Sequence, residues 1–264
     1  MPEPFIVWAF QRTGGTTLFN LLGRFFGHGP SYFEPFNPAN AAGYITKTFK
    51  ETKDEGRLRA DMEGFLAQGR PIKNCYELHP LPLQHCCFEV SREMGFRHAI
   101  LDRRDDVSRV FSRELALLTG AWGKTQADEI YPDFLSGKRE MPPMDIARLR
   151  SNLRRGMRRR QWLIDRMNEA GISPYIILFE NVYGAPGGGE AEVDRVFDFL
   201  GLPRDDPDYA DAVAQALHTK SQNTTSVRSL VPNLDEARAV LDKAGAGRNP
   251  WARIADQRTA AAAG

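Results

Sequence analysis

The sequence predicts an α/β fold in which helices flank a central, mostly parallel sheet. Short runs of β-branched and aromatic residues alternate along the chain with longer segments of helical periodicity. This alternation is typical of βαβ units, because parallel strands need a crossover connection that is usually a helix. The 264 residues, 42% of them hydrophobic, are enough to bury the core of one such domain. We therefore expect a single domain over residues 1–264.

Five apolar or aromatic stretches are the candidate strands. "FIVWA" at Phe5–Ala9 has the continuous apolar character of a fully buried strand. "PIKNCYEL" is a weaker candidate, and "PYIILF" is the most β-like stretch of the chain. The candidate strands are Phe5–Ala9, a short strand within Pro30–Pro38, 71–78, Phe96–Asp102 and Pro174–Phe179.

Segments of helical periodicity lie between and after these strands. The first follows Phe5–Ala9 almost at once, and glycine ends three others, at the position where helix C-termini favour it. The predicted helices are Thr16–Phe26, a surface helix within 47–69, and helices at 82–95, 105–118, 144–170, 190–201 and 234–243. The alanine-rich end, from about residue 252, predicts a mobile tail.

Composition limits the classes of function. The net charge of +1 favours neither nonspecific nucleic-acid binding nor attraction to a membrane, so any basic site must be local. Cys75, Cys86 and Cys87 form no disulfide framework and lack metal-ligand spacing. No run reaches the roughly 18 apolar residues of a membrane span, and the first residues lack the basic region of a signal peptide. We expect a cytoplasmic protein with no membrane span, no nucleic-acid partner and no metal.

The stretch "FQRTGGTT" after the first strand predicts an anion site. A strand, a Gly/Thr turn and a helix place free backbone N–H groups at the positive end of a helix dipole, where phosphate or sulfate binds. Glycines let the backbone approach the anion, threonines add hydroxyl donors, and an arginine adds a charged fork. A tight connection without a ligand is the alternative. The predicted contacts are Arg12, Thr13, Gly14, Gly15, Thr16 and Thr17.

The same stretch differs from the loop of nucleotide kinases. That loop requires G-x-x-x-x-G-K-[ST], whose lysine and hydroxyl end supports phosphates and magnesium. This chain has neither the Gly-Lys pair nor the early first glycine. A P-loop kinase is therefore the disfavoured alternative.

"RTGGT" at Arg12–Thr16 resembles the 5′-phosphosulfate-binding loop of sulfotransferases that use 3′-phosphoadenosine 5′-phosphosulfate (PAPS). "LDRRDDVSRVFS" places Arg104 eight residues before Ser112, the spacing at which the family binds the 3′-phosphate. A surface ion-pair cluster of Arg103, Arg104, Asp105 and Asp106 is the alternative for this segment. The proline that often follows the family's Arg-Asp/Asn pair is absent, which leaves the shape of that turn open. "YIILFENV" and "VFDFLGLP" resemble two later structural elements, so the resemblance extends in order from residue 5 to about 205.

The resemblance implies a three-layer P-loop-type fold and a PAPS-dependent sulfotransferase. Such an enzyme moves a sulfuryl group to a hydroxyl of a carbohydrate or small-molecule acceptor and releases 3′-phosphoadenosine 5′-phosphate. Arg12 would lie nearest the breaking bond, and a loop around 226–230 would close over the cofactor with Arg228 as a contact. A homodimer is compatible with the sequence, and a non-catalytic PAPS-binding protein is a second alternative.

The acceptor hydroxyl must lose a proton, which requires a base within reach. Glu34 in "YFEPF" lies where carbohydrate-type and small bacterial sulfotransferases often show Glu-Pro, and is the favoured candidate. His79 in "ELHPLP" resembles the His-Leu-Pro of the cytosolic enzymes, although Pro80 follows it directly. The alternatives are that Glu34 pairs with an arginine and that His79 only caps a turn.

"RLRSNLRRGMRRRQW" carries seven arginines between Arg148 and Arg160. Apolar residues at helical spacing predict that one face of this helix packs inward and that the arginines are solvated. The more specific alternative is that some of these arginines bind an acidic acceptor or partner. We expect loops at about 37–70 and 124–143 to shape the acceptor pocket. Their sequences follow no general rule that identifies the acceptor.

Overall fold

The structure, a computed structural model, describes residues 2–27, 31–184, 189–218, 224–244 and 249–263, and a five-stranded sheet lies at its centre. The strands lie in the order β2-β3-β1-β4-β5, and every neighbouring pair is parallel. The strands are β1 (Phe5–Ala9), β2 (Tyr32–Phe33), β3 (Ile72–Cys75), β4 (Arg97–Asp102) and β5 (Tyr175–Leu178). The α/β class with a parallel central sheet, predicted from the sequence, is confirmed.

Helices follow most strands and cover both faces of the sheet. The longest is α7, with 24 residues. None of the helices within the described ranges combines the length and the apolar character needed to cross a membrane. They are α1 (Gly15–Phe26), α2 (Gly43–Thr52), α3 (Glu55–Leu66), α4 (Leu81–Glu93), α5 (Asp106–Thr119), α6 (Lys124–Leu135), α7 (Ile146–Glu169), α8 (Phe179–Tyr183), α9 (Glu190–Leu200), α10 (Tyr209–His218), α11 (Thr224–Arg228), α12 (Leu234–Lys243) and α13 (Pro250–Ala263).

The buried apolar residues define three layers. Alternate residues of β1 point to opposite faces, as strand geometry requires. Phe5 and Val7 pack in a cluster with α1, α9 and α10, whereas Ile6 and Trp8 pack in a second cluster with α2, α3, α4 and α7. A further cluster joins α5, α6, α7, α11 and α12 beside the sheet. The fold is therefore a three-layer α/β sandwich with a helical extension.

The connections that leave the carboxyl ends of β1 and β4 diverge, and we call the region between them the crevice. Ala9 pairs with Leu101, so the two strands end at the same level. The chain leaves β1 through α1 towards β2, and leaves β4 through α5 towards β5, on opposite sides of β1 in the sheet. Ligands of open parallel sheets bind where neighbouring connections diverge in this way. The loops after β1 and β4 therefore form the two walls of the candidate site.

Some segments differ from the sequence-based expectation. The single surface helix expected within 47–69 is the pair α2 and α3, and helix α6 occupies much of the acceptor loop expected at 124–143. The residues from about 252, expected as a mobile tail, form most of α13. Trp251, the second residue of that helix, is buried against the core, and Arg258 donates to the carbonyl oxygen of Pro174 at 2.7 Å. Tertiary contacts therefore hold a helix that composition alone did not indicate.

Candidate functional site

The loop between β1 and α1 turns sharply at two residues with positive φ. Arg12 has φ 69° and Gly14, the N-cap of α1, has φ 74°. Because the N-cap is a glycine, it supplies no side-chain acceptor for the first-turn N–H groups of α1. Thr16 is exposed and Thr17 is half-buried on this turn. The predicted geometry for anion binding, a tight turn into a helix N-terminus, is present here.

Gly14 is required by space as well as by its conformation. A Cβ on this residue would lie 2.6 Å from Cε2 of Tyr183 and 3.0 Å from Cδ2 of Phe179. The hydroxyl of Tyr183 donates to the carbonyl oxygen of Gly14 at 3.1 Å. Helix α8 therefore packs directly against the turn and fixes it.

The side chain of Thr13 stabilises the β1–α1 loop from within. This side chain is buried, and its hydroxyl donates to the carbonyl oxygen of Phe10 at 2.8 Å. The threonine thus closes the turn from within. Of the three predicted threonines, Thr16 and Thr17 are the two whose hydroxyls lie on the first turn of α1.

Arg12 connects the β1–α1 loop to the opposite wall of the crevice. Its Nε donates to the hydroxyl oxygen of Ser112 on α5 at 2.9 Å, and its Nη1 donates to the carbonyl oxygen of Trp122 at 3.1 Å. Burial lowers the pKa of Arg12, and the nearby charge of Arg103 lowers it further. Two residues predicted from separate motifs, Arg12 and Ser112, therefore lie in direct contact.

Lys73 lies on the other side of the helix N-terminus. A Cβ on Gly15 would lie 2.6 Å from Cε of Lys73, so the lysine side chain passes directly over this glycine. Its Nζ donates to Oε1 of Glu34 at 2.7 Å and lies 3.4 Å from Sγ of Cys75, which donates to the same carboxylate oxygen at 3.2 Å. The Lys73 side chain is only 4% exposed. The sequence motifs did not indicate this residue.

Glu34 is fixed in an uncommon backbone conformation. Its φ of 46° lies in the left-handed region, which a non-glycine residue adopts at an energetic cost. The N–H of Glu34 donates to the carbonyl oxygen of Lys73 at 2.8 Å. Nδ2 of Asn40 donates to the carbonyl oxygen of Glu34 at 2.9 Å. The carboxylate is 15% exposed. The surrounding contacts thus hold the predicted base beside Lys73 with one edge open to solvent.

His79 is more deeply placed than Glu34. It is 5% exposed, and its ring contacts the Phe36 ring edge-to-face with centroids 6.2 Å apart. Burial lowers the pKa of His79 to about 4, against the opposing effect of the nearby Glu34 carboxylate. Nη2 of Arg159 donates to the carbonyl oxygen of His79 at 2.8 Å. The imidazole is therefore neutral at pH 7, and both candidate bases lie on the β2–β3 side of the sheet.

The loop after β4 presents Arg103, rather than Arg104, to the crevice. The guanidinium of Arg104 forms two hydrogen bonds to Asp256 of α13, at 2.6 and 2.8 Å, and does not meet Ser112. Arg103 lies over the ring of Phe179, 4.4 Å from its centroid, and its charge lowers the pKa of Arg12. The spacing of the sequence motif did not distinguish Arg103 from Arg104.

Arg228 lies near Arg103. Its guanidinium stands 4.7 Å from the centroid of the Phe111 ring on α5, and its charge acts on Arg103. Burial lowers the pKa of Arg228. The structure thus brings Arg12, Arg103 and Arg228 to one wall, although the preceding residues 219–223 of the predicted polar loop lie outside the described residues.

A buried ionic network lies beneath the crevice. Arg160 of α7, fully buried, donates to both carboxylate oxygens of Asp102 and of Asp106 at 2.7–2.8 Å. Arg109 donates to Asp106 at 2.9 Å. Both guanidinium groups lie on the ring of Phe10, at 4.6 and 4.7 Å from its centroid. This network joins the ends of β1 and β4 to α5 and α7, and Arg160 corrects the expectation that the arginines of α7 are all solvated.

Within the described ranges, no group of three or more His, Cys, Asp or Glu side chains is arranged to hold a metal ion. Comparison of the chain with family models, curated proteins and solved structures finds no match. The function must therefore be inferred from the geometry of the site itself.

Proposed function

We propose that this protein is a PAPS-dependent sulfotransferase that acts on a hydroxyl group of a carbohydrate or small-molecule acceptor. One observation carries the proposal: the N-terminus of α1 lies between the Arg12–Ser112 contact on one side and the Lys73–Glu34 pair on the other. The first can hold an anion, and the second combines a cation with a carboxylate that can accept a proton. Both are needed for transfer of an anionic group to a hydroxyl.

The residues present fit the two anionic groups of PAPS. The first-turn N–H groups of α1, with Thr16, Thr17 and Arg12, suit the 5′-phosphosulfate, since the glycine N-cap gives these N–H groups no side-chain acceptor. Ser112 and Arg103 on the β4 side suit the 3′-phosphate. We assign this role to Arg103 in place of Arg104, because Arg104 is engaged with Asp256 of α13. Arg103 is 3.6 Å from a carboxylate oxygen of Glu180, and its charge acts on Arg12. When bound, PAPS supplies the sulfuryl group.

Arg228 extends the cationic wall. Its guanidinium stands 4.7 Å from the centroid of the Phe111 ring and its charge acts on Arg103, so it adds a cation on the side assigned to the 3′-phosphate. We assign Arg228 to this cofactor-facing side of the crevice.

Glu34 is our candidate general base. Its carboxylate is more exposed than the His79 ring, and Lys73 holds it beside the N-terminus of α1, where the transferred group would bind. The acceptor oxygen would give its proton to the carboxylate as it attacks. Lys73 would hold the carboxylate in place and face the charge on the transferred group.

Charge stabilisation is the second task of the site. Transfer of an anionic group spreads charge over peripheral oxygens, and fixed cations and backbone N–H groups stabilise that charge without reorganising. Arg12 and Lys73 lie on opposite sides of the same helix terminus. We propose that Arg12 faces the leaving phosphate and that Lys73 faces the transferred group.

Isothermal titration tests the cofactor assignment. We expect the wild-type chain to bind adenosine 3′,5′-bisphosphate without magnesium, and Arg12→Ala to weaken this binding. Leu135→Ala, an exposed change on α6, is the control. Binding of ATP with magnesium but not of the bisphosphate would instead indicate a kinase. Transfer of labelled sulfate from PAPS to a panel of hydroxyl acceptors then separates an enzyme from a non-catalytic binding protein.

A further inference from the structure

A second basic site lies outside the crevice, between α4 and α7. A pocket of about 310 Å³ is lined by Leu81, Arg155, Arg158 and Arg159. Arg158 and Arg159 follow Arg155 by three and four residues on α7, so both lie on the same side of the helix as Arg155. The volume is at the lower end of the range of small-molecule sites.

Within the described residues, no acid forms an ion pair with the arginines of this pocket, although the charge of Glu77 partly offsets the lowering of the pKa of Arg159 by burial. Within the part of the chain that the structure describes, Arg155 and Arg158 form no hydrogen bond or ion pair. Nη1 of Arg159 is buried and has no hydrogen-bond partner there. Burial lowers the pKa of Arg159, and the charges of Arg155 and Arg158 lower it further. An anion in the pocket would offset the repulsion among three cations.

One wall of the pocket is apolar. Leu81, at the start of α4, is 45% exposed. A ligand with an acidic group and an apolar body would bury part of this leucine while its acidic group met the arginines. Inorganic anions would contact the arginines but would bury none of Leu81.

The pocket is connected to the candidate catalytic residues. Arg159 donates to the carbonyl oxygen of His79, whose ring lies near Glu34. The charge of Arg155 also reaches Arg113, which donates to the side chain of Gln11, the residue before Arg12. Through Arg159, the pocket therefore adjoins His79, one of the two candidate bases.

We propose that this pocket binds the acidic group, a carboxylate or a phosphate ester, of the acceptor molecule whose hydroxyl is sulfated. The assignment of the pocket as an anion site rests on the positions of the residues that line it, Arg155, Arg158, Arg159 and Leu81. Its role towards the acceptor rests on the function proposed above. The acceptor is thereby an acidic hydroxyl compound rather than a neutral sugar or phenol.

Binding to the full chain is the first test, with 4-hydroxyphenylacetate and its methyl ester as one pair of probes and glucose 6-phosphate and glucose as another. We expect each acid to bind at least tenfold more tightly than its neutral counterpart. Arg155→Ala with Arg158→Ala should remove at least tenfold of that affinity. Arg150→Ala with Arg154→Ala removes the same charge from exposed positions of the same helix and should leave the affinity unchanged.

Two results would overturn the pocket: equal binding of acid and neutral probe to the wild-type chain, or an equal loss in the two double variants. The latter would show an effect of overall charge. Titration with adenosine 3′,5′-bisphosphate is done on the same proteins, so failure of the proposed cofactor site is seen separately from failure of the pocket.

Sulfate transfer tests the role towards the acceptor. We expect Arg155→Ala with Arg158→Ala to raise KM for 4-hydroxyphenylacetate at least tenfold with kcat changed less than threefold, and to leave KM for the methyl ester unchanged. An unchanged KM for the acid would overturn the role towards the acceptor.

Discussion

Arg12 and Ser112 are 100 residues apart in the chain, and the Nε of one lies 2.9 Å from the hydroxyl oxygen of the other. This contact crosses the crevice between the ends of β1 and β4. It joins the loop after β1 to helix α5, so under the proposed function a change in either residue is expected to affect binding of the same ligand.

Arg12→Ala removes a charge-assisted contact to the ligand and should weaken binding of adenosine 3′,5′-bisphosphate by about 10- to 100-fold, from roughly 1.5–3 kcal/mol for a hydrogen bond to a charged group. Ser112→Ala should weaken it less, by about 3- to 10-fold, since a neutral hydroxyl contributes about 1 kcal/mol. Isothermal titration measures both. Unchanged affinity in Arg12→Ala would contradict the placement of the phosphosulfate.

Glu34→Gln should lower kcat by about 10²- to 10⁴-fold, the usual contribution of a general base. Binding of adenosine 3′,5′-bisphosphate should be retained, because Glu34 is not assigned to the cofactor. His79→Gln is the matched comparison and should keep more than a tenth of the wild-type rate. The reverse result, with the large loss in His79→Gln, would transfer the role of base to the histidine.

Gly14→Ala should destabilise the fold, because the left-handed conformation costs a residue with a Cβ about 1–2 kcal/mol and the new methyl group would meet Tyr183. Gly64→Ala is the control, since this glycine is exposed within α3 and a Cβ there meets nothing within 4 Å. It should stabilise by about 0.5–1 kcal/mol, the helical preference for alanine. Urea denaturation measures both changes, and equal stabilities of the two variants would count against the packing of α8 on the turn.

Arg160→Met should cost about 3–5 kcal/mol of unfolding free energy, because it leaves Asp102 and Asp106 as buried carboxylates without their main partner. Arg158→Met removes the same charge from an exposed position two residues earlier and should change stability by less than about 0.5 kcal/mol. Chemical denaturation at pH 7 compares them. A loss below about 1 kcal/mol in Arg160→Met would show that the network is not needed for folding.

Acid should destabilise the protein through His98. Nε1 of Trp8 donates to Nδ1 of His98 at 3.0 Å, and burial lowers the pKa of this imidazole to about 4 from its ordinary 6.5. The unfolded chain therefore binds the proton first, so stability falls as the pH drops from 6.5 to about 4. The full loss from this one group is about 3 kcal/mol, from about 1.36 kcal/mol for each pKa unit.

His98→Gln tests this origin, because glutamine can still accept the Trp8 hydrogen bond but does not titrate. Denaturation at pH 7, 6, 5 and 4.5 should show a smaller loss of stability in the variant. His79, whose burial lowers its pKa in the same way, accounts for part of what remains. An identical pH dependence in the wild type and the variant would exclude His98 as a source.

The sheet and the first wall of the site could be predicted because their signals are local. The apolar run Phe5–Ala9, the glycines after it and the helical spacing that follows all lie within 26 residues. The order of strands and helices then places the carboxyl ends of parallel strands at one edge. The position of Arg12 at this edge follows from those two facts alone.

Lys73 and Arg103 could not be predicted, because their placement depends on tertiary register. Lys73 reaches Gly15 and Glu34 only because β3 lies between β1 and β2. Arg103 and Arg104 are adjacent, and only the packing of α8 and α13 against their loop decides which one faces the crevice. No spacing rule distinguishes these neighbours.

Arg160 did carry a sequence signal that the charge run concealed. It continues the buried stripe of α7 at the spacing of three and four residues that Leu149, Leu153, Gly156, Leu163 and Met167 define. An arginine in phase with an apolar stripe needs buried carboxylates, and Asp102 and Asp106 stand at the end of the strand next to "FIVWA". Periodicity, rather than charge count, identifies the buried member of the run.

The contacts of α13 with the loop after β4 bear on how the protein is made. Asp256 binds Arg104 across 152 residues, and Asn249 donates to the carbonyl oxygen of Arg103 at 2.9 Å. During synthesis, all five strands leave the ribosome before either partner exists, so the sheet can form while this wall of the crevice is still without its support. A growing chain can therefore form its sheet first, and the loop that carries Arg103 and Arg104 gains these two contacts only when the last helix docks.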